Sequence, residues 1–411
     1  MSMFWVNVTA ILLAANVAWW WFADRLARRL PRVVWWRWLT TAFVAGQLGL
    51  LAWTVGARVL APHSDAGPGL LPATAAYVWQ MLVLPMVLVV AVVIGVPAGA
   101  WWALRRVRGC GAKPATVNAG ATAMAPEVES TAGWTRRKVL AAAVVAAPPL
   151  LTGVGVGVSL AQLQSFRVRR ITVPLANLPG ELEGMRIASV SDLHVGTFTV
   201  ASVLRRVVEA TSAMDVDLVV MPGDLINNRL SDLSDALDAV TNIQSKYGTF
   251  MCIGNHDLIE NGAEFVRRAK LRTGLLVDES SVVNVRGIPV QVLGLPWTRG
   301  EEQIGASVRR LAMQVQAGAF PILLSHHPHA FDGAAEAGIP LTFAGHTHGG
   351  QLMASEQVGF GPWMYRYWSG LYRKAERAGA SLVVSNGVGH WYPVRIGAPA
   401  EIIEVTLTRG A

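Results

Sequence analysis

Seven of the nine histidines in this chain fall into a few short polar clusters: "SDLH" at 191–194, "GNHD" at 254–257, "SHHPH" at 325–329 and "GHTHGG" at 345–350. A further cluster, "PGDLIN" at 222–227, adds Asp224 and Asn227. Only His63 and His390 lie outside them. The side chains on offer are carboxylates, amides and imidazoles. The two cysteines, Cys110 and Cys252, stand far apart and in different parts of the chain, so neither a disulfide framework nor a thiolate site is supported. Hard oxygen mixed with imidazole suits a divalent cation such as Mn, Fe or Zn.

Within the clusters, Asp192 and His194 alternate and are expected to point to one side of an extended segment. Asp224 and Asn255 add oxygen; His326, His346 and His348 add nitrogen. His326 is chosen as the first residue past the apolar run "PILLS", with His327 and His329 left as supporting or substrate-contacting residues. Asp257 is expected to cap or orient, and His390 to be a loop residue or to face substrate. Gly223, Gly254, Gly345, Gly349 and Gly350 are expected to permit tight turns and close approach to a metal or phosphate.

Elements must carry these clusters to one place. From about residue 166 to 411, short apolar runs alternate with helical patterns: "MRIASVS" then "VASVLRRVVEA", "VDLVVM" then "DALDAVTNI", "TFMCIG" then "EFVRRAKL", followed by "VQVLGL", "PILLS", "LTFAG", "SLVVSNG" and "EIIEVTL". Such alternation predicts sheets covered by helices. The clusters come immediately after the apolar runs. Sites in α/β sheets form at the carboxyl ends of strands, so the clusters can converge. Trp297, Trp363, Tyr365 and Trp368 lie in or near Gly- and Pro-containing loops; core packing is expected of them, with an apolar rim as the alternative.

Taken in order, Asp-x-His at 192 and 194, Gly-Asp at 223–224, Gly-Asn-His-Asp at 254–257, a strand-ending His and Gly-His-x-His at 345–348 resemble the calcineurin-like metallophosphoesterases. The resemblance implies a four-layer αββα sandwich over residues 166–411. It also implies two divalent metal ions, one held by Asp192, His194 and His348, the other by Asn255, His326 and His346, with Asp224 bridging. The activity implied is hydrolysis of a phosphate monoester or diester by hydroxide formed between the two cations. His256 would then protonate the leaving oxygen or hydrogen-bond the phosphate, and Asn227, three residues after the bridging Asp, would orient it. An amide supplies no charge to raise the imidazole's basicity.

The rest of the chain is of another kind. At 411 residues, 52% hydrophobic and 15% charged, the whole is too apolar for an ordinary soluble enzyme. Up to Leu160 it carries 13 Lys and Arg against 4 Asp and Glu, a net of +9; the remainder carries 22 against 23, a net of −1, the two together giving the chain's +8. The basic excess therefore lies in the apolar part, which argues against a nucleic-acid partner. Four stretches reach the length of about 20 residues that a bilayer helix needs: 4–22, 39–60, 77–104 and 139–161. The predicted class is thus an N-terminal four-helix transmembrane region, 1–161, followed by an α/β domain. Asn7, Asn16 and Gln47 within the spans are expected to bond between helices.

Arg25, Arg28, Arg29, Arg32 and Arg37 follow the first stretch, and Arg105 to Lys138 separate the third from the fourth. The positive-inside rule puts both basic segments in the cytoplasm and the C-terminal domain outside the cell membrane. Residues 109–133, rich in Ala, Thr, Pro and Gly, read as a flexible cytoplasmic linker. "TRRKVL" at 135–140 admits two readings, a twin-arginine export signal that engages export machinery or the basic flank of a membrane helix. Two functions follow: a membrane-anchored phosphoesterase acting on a phosphorylated, lipid-linked or cell-envelope substrate, or a membrane sensor that uses the same fold as a binding module. The complete set of expected ligands favours the enzyme.

Overall fold

The computed structural model describes residues 3–60, 68–109, 134–374 and 379–410. It divides into two compact units, the second beginning at Gly157. In the first unit lie α1 (Met3–Ala27), α2 (Val33–Leu60), α3 (Leu70–Tyr77) and α4 (Leu84–Gly109), the last two joined by a π-helical stretch at Val78–Val83. Helix α5 (Arg136–Leu163) starts there and crosses the boundary.

Among the described residues three helical stretches are long and apolar enough to cross a membrane: Val33–Ala57, Leu70–Trp101 and Arg136–Leu163. The expected first span, 4–22, is helical within α1 but is not one of the three. The expected third span begins earlier than Tyr77, at Leu70, because the chain is already helical there. Residues 110–133 of the expected linker lie outside the described residues.

The apolar residues of these helices largely face outward: Ile11, Val89, Leu150 and Val154 are each more than 60% exposed. Polar residues turn inward instead. Asn16, fully buried, donates to Gln80 Oε1 at 2.8 Å and accepts from the Trp79 indole at 2.8 Å. The π-helical stretch carries both partners. Buried Asp24 near the end of α1 accepts from Arg28 at 2.9 Å and from Arg37 of α2 at 2.6 Å, pinning the α1–α2 turn.

The second unit holds two six-stranded mixed sheets. The first orders β1 (Arg167–Leu175), β14 (Glu401–Arg409), β2 (Arg186–Ser189), β3 (Leu218–Pro222), β4 (Thr249–Cys252) and β5 (Gly274–Leu275). The second orders β12 (Gly370–Lys374), β13 (Ala380–Val384), β9 (Leu341–Ala344), β8 (Phe320–Ser325), β7 (Ile288–Gly294) and β6 (Glu279–Val285). Strand alternation sorts their side chains into layers. Leu218 and Val220 of β3 pack with Val290 and Val292 of β7 and with Ile322 and Leu324 of β8 in a core between the sheets. Val219 and Met221 point the other way, among residues of α6 (Ala201–Ser212), α7 (Leu233–Asn242) and α8 (Gly262–Lys270). Leu293 and Leu323 face α9 (Glu301–Ala312) and α10 (Ala330–Glu336) on the second sheet's outer side. Helix, sheet, sheet and helix thus follow one another, the expected αββα order. The apolar runs read as strands coincide with β2, β3, β4, β7, β8, β9, β13 and β14. A small hairpin, β10 (Met353–Ser355) with β11 (Val358–Gly359), and the short α11 (Phe360–Met364) follow the last histidine cluster.

Candidate metal centre

Every cluster singled out above follows the carboxyl end of a strand. Asp192 and His194 follow β2, Asp224 follows β3, Asn255 and His256 follow β4, His326 follows β8, and His346 and His348 follow β9. β2, β3 and β4 run parallel, as do β7, β8, β9 and β13, so within each sheet these ends share one edge. The two sheets are stitched there, since His326 Nδ1 donates to the Pro222 carbonyl at 2.8 Å.

The loops themselves are unusual. Asp192, His194, Asp224, His346 and His348 all have positive φ, between 45° and 73°. This corrects the expectation that Asp192 and His194 alternate on an extended segment: left-handed turns, not the strand period, bring them together. Each such residue costs on the order of 1–3 kcal/mol and persists only where its surroundings over-determine it. Asp257 supplies part of that constraint. Its buried carboxylate accepts from the N–H groups of Asp224, Leu225, Ile226 and Gly254 at 2.8–3.1 Å, so it orients the turns as anticipated.

The glycines also have a reason different from the one expected. A Cβ on Gly254 would collide with Asp224, one on Gly345 with Ser191 and Asp192, and one on Gly223 would come within 2.8 Å of His326 Nδ1. Beside Gly349 stands Asn386, at 2.5 Å, and beside Gly350 stand Gly361 and Met353. The space they leave is filled by the protein, chiefly by the polar side chains of the site, and not reserved for phosphate.

These side chains converge in two overlapping groups. In the first, His194 Nε2 lies 3.1 Å from His348 Nε2 and 3.8 Å from Asp192 Oδ1, which is 3.5 Å from His348 Nε2. In the second, His346 Nδ1 lies 3.1 Å from His326 Nε2. Asp224 Oδ2 stands between them, 3.5 Å from His194 Nε2 and 3.1 Å from His326 Nε2. Asp192, His194, Asp224, His326 and His348 are at most 3% exposed. Asn255, at the start of the short 3-10 turn His256–Leu258, holds a buried Oδ1 with no hydrogen-bond partner among the described residues.

The second coordination layer was only partly anticipated. His256 Nδ1 donates to the backbone carbonyl of Asn227 at 2.5 Å, so the main chain of Asn227, not its amide, fixes the ring. The ring stands edge-on to His194, 4.5 Å between centroids. His327 flanks His346 at 5.0 Å, whereas His329 turns toward Glu301 at 3.5 Å. Trp297 and Tyr365 pack against His346 at 5.3 and 5.8 Å. Sequence reasoning missed Arg395. Its buried guanidinium reaches His348 Nδ1 at 2.8 Å, His390 Nδ1 at 3.3 Å and the carbonyls of Asn386 and Gly389 at 2.6 Å. His390 is buried against Arg395. A single arginine amid no other polar motif gave no signal; only the approach of the chain after β13 does.

The donor set fits a cation. Six nitrogen and carboxylate oxygen atoms crowd within 3.1–3.8 Å of a neighbour, and the buried Asn255 Oδ1 adds another. Three sets, Asp192–His194–His348, His194–Asp224–His256 and Asp192–Asp224–His326, each gather their ligand atoms within 4.8 Å. Burial holds the imidazoles of His194, His346 and His348 well below 6.5, in the neutral form that ligates. Burial lifts Asp192 to about 6, and the imidazoles around Asp224, His326 foremost, overcome burial to hold its carboxyl far below the usual range. The donor set thus suits a divalent metal.

Comparison with known proteins agrees with this reading. Residues 185–350 match the family model described as calcineurin-like phosphoesterase, a segment running from β2 through the last histidine cluster. A zebrafish protein, "Transmembrane protein with metallophosphoesterase domain", is 28% identical over 262 residues, covering 59% of this chain and 58% of that protein. An uncharacterized metallophosphoesterase of Campylobacter jejuni is 27% identical over 251 residues, 60% of this chain and 64% of its own length. The chain thus spans less than two thirds of the length of these relatives. Among solved structures, a dimetal phosphatase from zebrafish aligns over 55% of this chain and 93% of its own with 13% identity and a TM-score of 0.35. Residues 185–350, which carry the histidine and aspartate clusters, are thus similar to the calcineurin-like phosphoesterases.

Proposed function

We propose that the protein is a metal-dependent phosphoesterase with two divalent ions, Mn, Fe or Zn, held at a membrane by its N-terminal helices. Asp192, His194 and His348 would hold one ion, Asn255, His326 and His346 the other, with Asp224 shared. The observation that carries this reading is the position of Asp224 Oδ2 between the two imidazole groups.

Divalent cations held there would neutralise phosphoryl charge and lower the pKa of water toward roughly 7. The chain's own part falls to His256. With Nδ1–H tied to the Asn227 carbonyl, Nε2 is the nitrogen left for substrate. Water's oxygen joins phosphorus as the bond from phosphorus to the leaving oxygen breaks. Nε2–H gives its proton to that oxygen, and the proton released by water restores the imidazole. Trp297 and Tyr365 limit water on the His346 side, and Trp391, 39% exposed and 6.3 Å from the His256 ring, flanks the other.

The basic residues between the helices support a domain on the outer face of the cell membrane, where lipid-linked and cell-envelope phosphates are the esters at hand. Exposed Arg136 and Arg137 at the start of α5 are what an export signal would present, with export machinery as the partner. The test of the enzyme is metal-dependent hydrolysis of bis-p-nitrophenyl phosphate by the full chain with Mn. Turnover is expected to vanish in Asp224→Asn; equal rates in the two proteins would overturn the reading. Protease accessibility of the domain in intact cells tests the side: shielding until lysis would overturn the outward placement.

A further inference from the structure

The segment after His348 leaves the metal centre, builds the β10–β11 hairpin and α11, and returns at Tyr365, whose ring is 5.8 Å from that of His346. The detour is bonded down. Met353 N–H donates to the Ile396 carbonyl at 2.7 Å, Phe360 N–H to the Leu352 carbonyl at 3.1 Å, and Thr347 Oγ1 to the Trp368 carbonyl at 2.6 Å. Ile396 adjoins Arg395, the arginine that reaches His348. What this frame displays is apolar. Val358, Phe360, Met364 and Ile396 are 46–61% exposed, and Trp363 is 77% exposed, so Trp363 forms part of an apolar rim and not of the core as expected from the sequence.

Between Leu352, Met353, Phe360, Trp363 and Ile396 runs a groove of about 540 Å³ without a charged residue in its lining. That volume lies within the roughly 300–1,000 Å³ of small-molecule sites. Exposing several large apolar side chains on one rigid, hydrogen-bonded frame is unfavourable unless something apolar covers them.

We propose that this groove takes the alkyl tail of a phosphate-ester lipid whose phosphate is bound at the metal centre. The inference rests on the phosphoesterase reading and names its substrate class. Two observations select a lipid tail as the occupant. One wall of the groove begins just after His348 and the other includes Ile396, next to Arg395, which reaches His348, so a ligand with its anionic head at the metal centre can lay an apolar extension along it. The same chain carries three helical stretches long enough to cross a bilayer, where such molecules are the abundant apolar ligands.

The test uses the full chain in nanodiscs with Mn and a series of p-nitrophenyl alkyl phosphates, ethyl, hexyl and decyl, below their aggregation limits. Each methylene taken from water is expected to raise kcat/KM about two- to fourfold, the upper value being that of full burial. The Trp363→Ala/Phe360→Ala variant should lose at least tenfold of the gain on the decyl ester and keep the wild-type rate on the ethyl ester. A flat series with intact Mn-dependent turnover of the ethyl ester overturns the groove and leaves the phosphoesterase standing. A gain that the double variant retains also overturns it, because the tail then sits elsewhere. Absence of metal-dependent turnover on every ester defeats the phosphoesterase reading; the groove is then read without activity, by photolabelling with a decyl phosphate bearing a diazirine at its tail. Label on residues 351–364, competed by unlabelled decyl phosphate, supports the groove, and label elsewhere overturns it. Labelling of this segment by diazirine chains of the nanodisc lipids, uncompeted by decyl phosphate, would make the face a bilayer contact and equally overturn a tail site.

Discussion

The helices of the first unit and the edge of the sandwich both bury polar groups, yet they do so in opposite ways. In the helices, Asn16 both donates and accepts, and Asp24 has two arginines. In the sandwich, Asp192, His194, Asp224, His326 and His348 turn nitrogen and oxygen atoms toward one another, and Asn255 Oδ1 meets no donor among the described residues. The first arrangement is what packing needs, because a satisfied polar group adds specificity at little cost. The second is costly until a cation arrives. Burial alone does not distinguish a scaffold from a site; the crowding of carboxylates and imidazoles around one point does.

The largest expected effect comes from replacing the shared ligand. Asp224→Asn should reduce Mn-dependent turnover by about 10³-fold or more, several kcal/mol of lost charge stabilisation, and should cancel the rise in Tm that Mn gives the wild type. If Mn raises Tm equally in both, the unsatisfied cluster is not a metal site and the contrast collapses. Removing the carboxylate that braces the turns comes next: Asp257→Ala leaves four N–H groups without their acceptor and should cost about 3–5 kcal/mol in chemical denaturation of the sandwich. A loss below 1 kcal/mol would mean that water replaces it. His256→Ala should lower turnover about 10²-fold with little change in metal content, since its role is proton transfer; lost metal, read by elemental analysis, would instead make it a ligand. The smallest effect belongs to the satisfied network. Asn16→Leu should cost about 1 kcal/mol in the stability of the helical unit and leave hydrolysis unchanged. A drop in turnover would show that the helices do more than hold the domain.

Much of the candidate site was legible because its donor residues come in local clusters directly after strands, where residue type, glycine and position agree. The strands were legible in kind, since β2 to β4 and β7 to β9 each announce themselves as short apolar runs, whereas the αββα layering was implied by the family resemblance and the strand order was not read at all. β1 was not, since Arg167, Arg169 and Arg170 break its apolar pattern to pair with Glu401 and Glu404 of β14, more than two hundred residues away. Arg395 was equally hidden, as was the filling of the space beside Gly349 by Asn386.

Sequence by itself determined which chemistry the clusters offer, which segments suit a bilayer, and where the basic charge lies, because these depend on residue type and spacing along the chain. Tertiary structure decided what each group meets. It turned Asp192 and His194 through left-handed bends, gave His256 a carbonyl in place of an amide, set Arg395 behind His348 and pushed Trp363 into solvent. Hydrogen bonds and burial are set by distances through space, and those exist only once the sheets have packed.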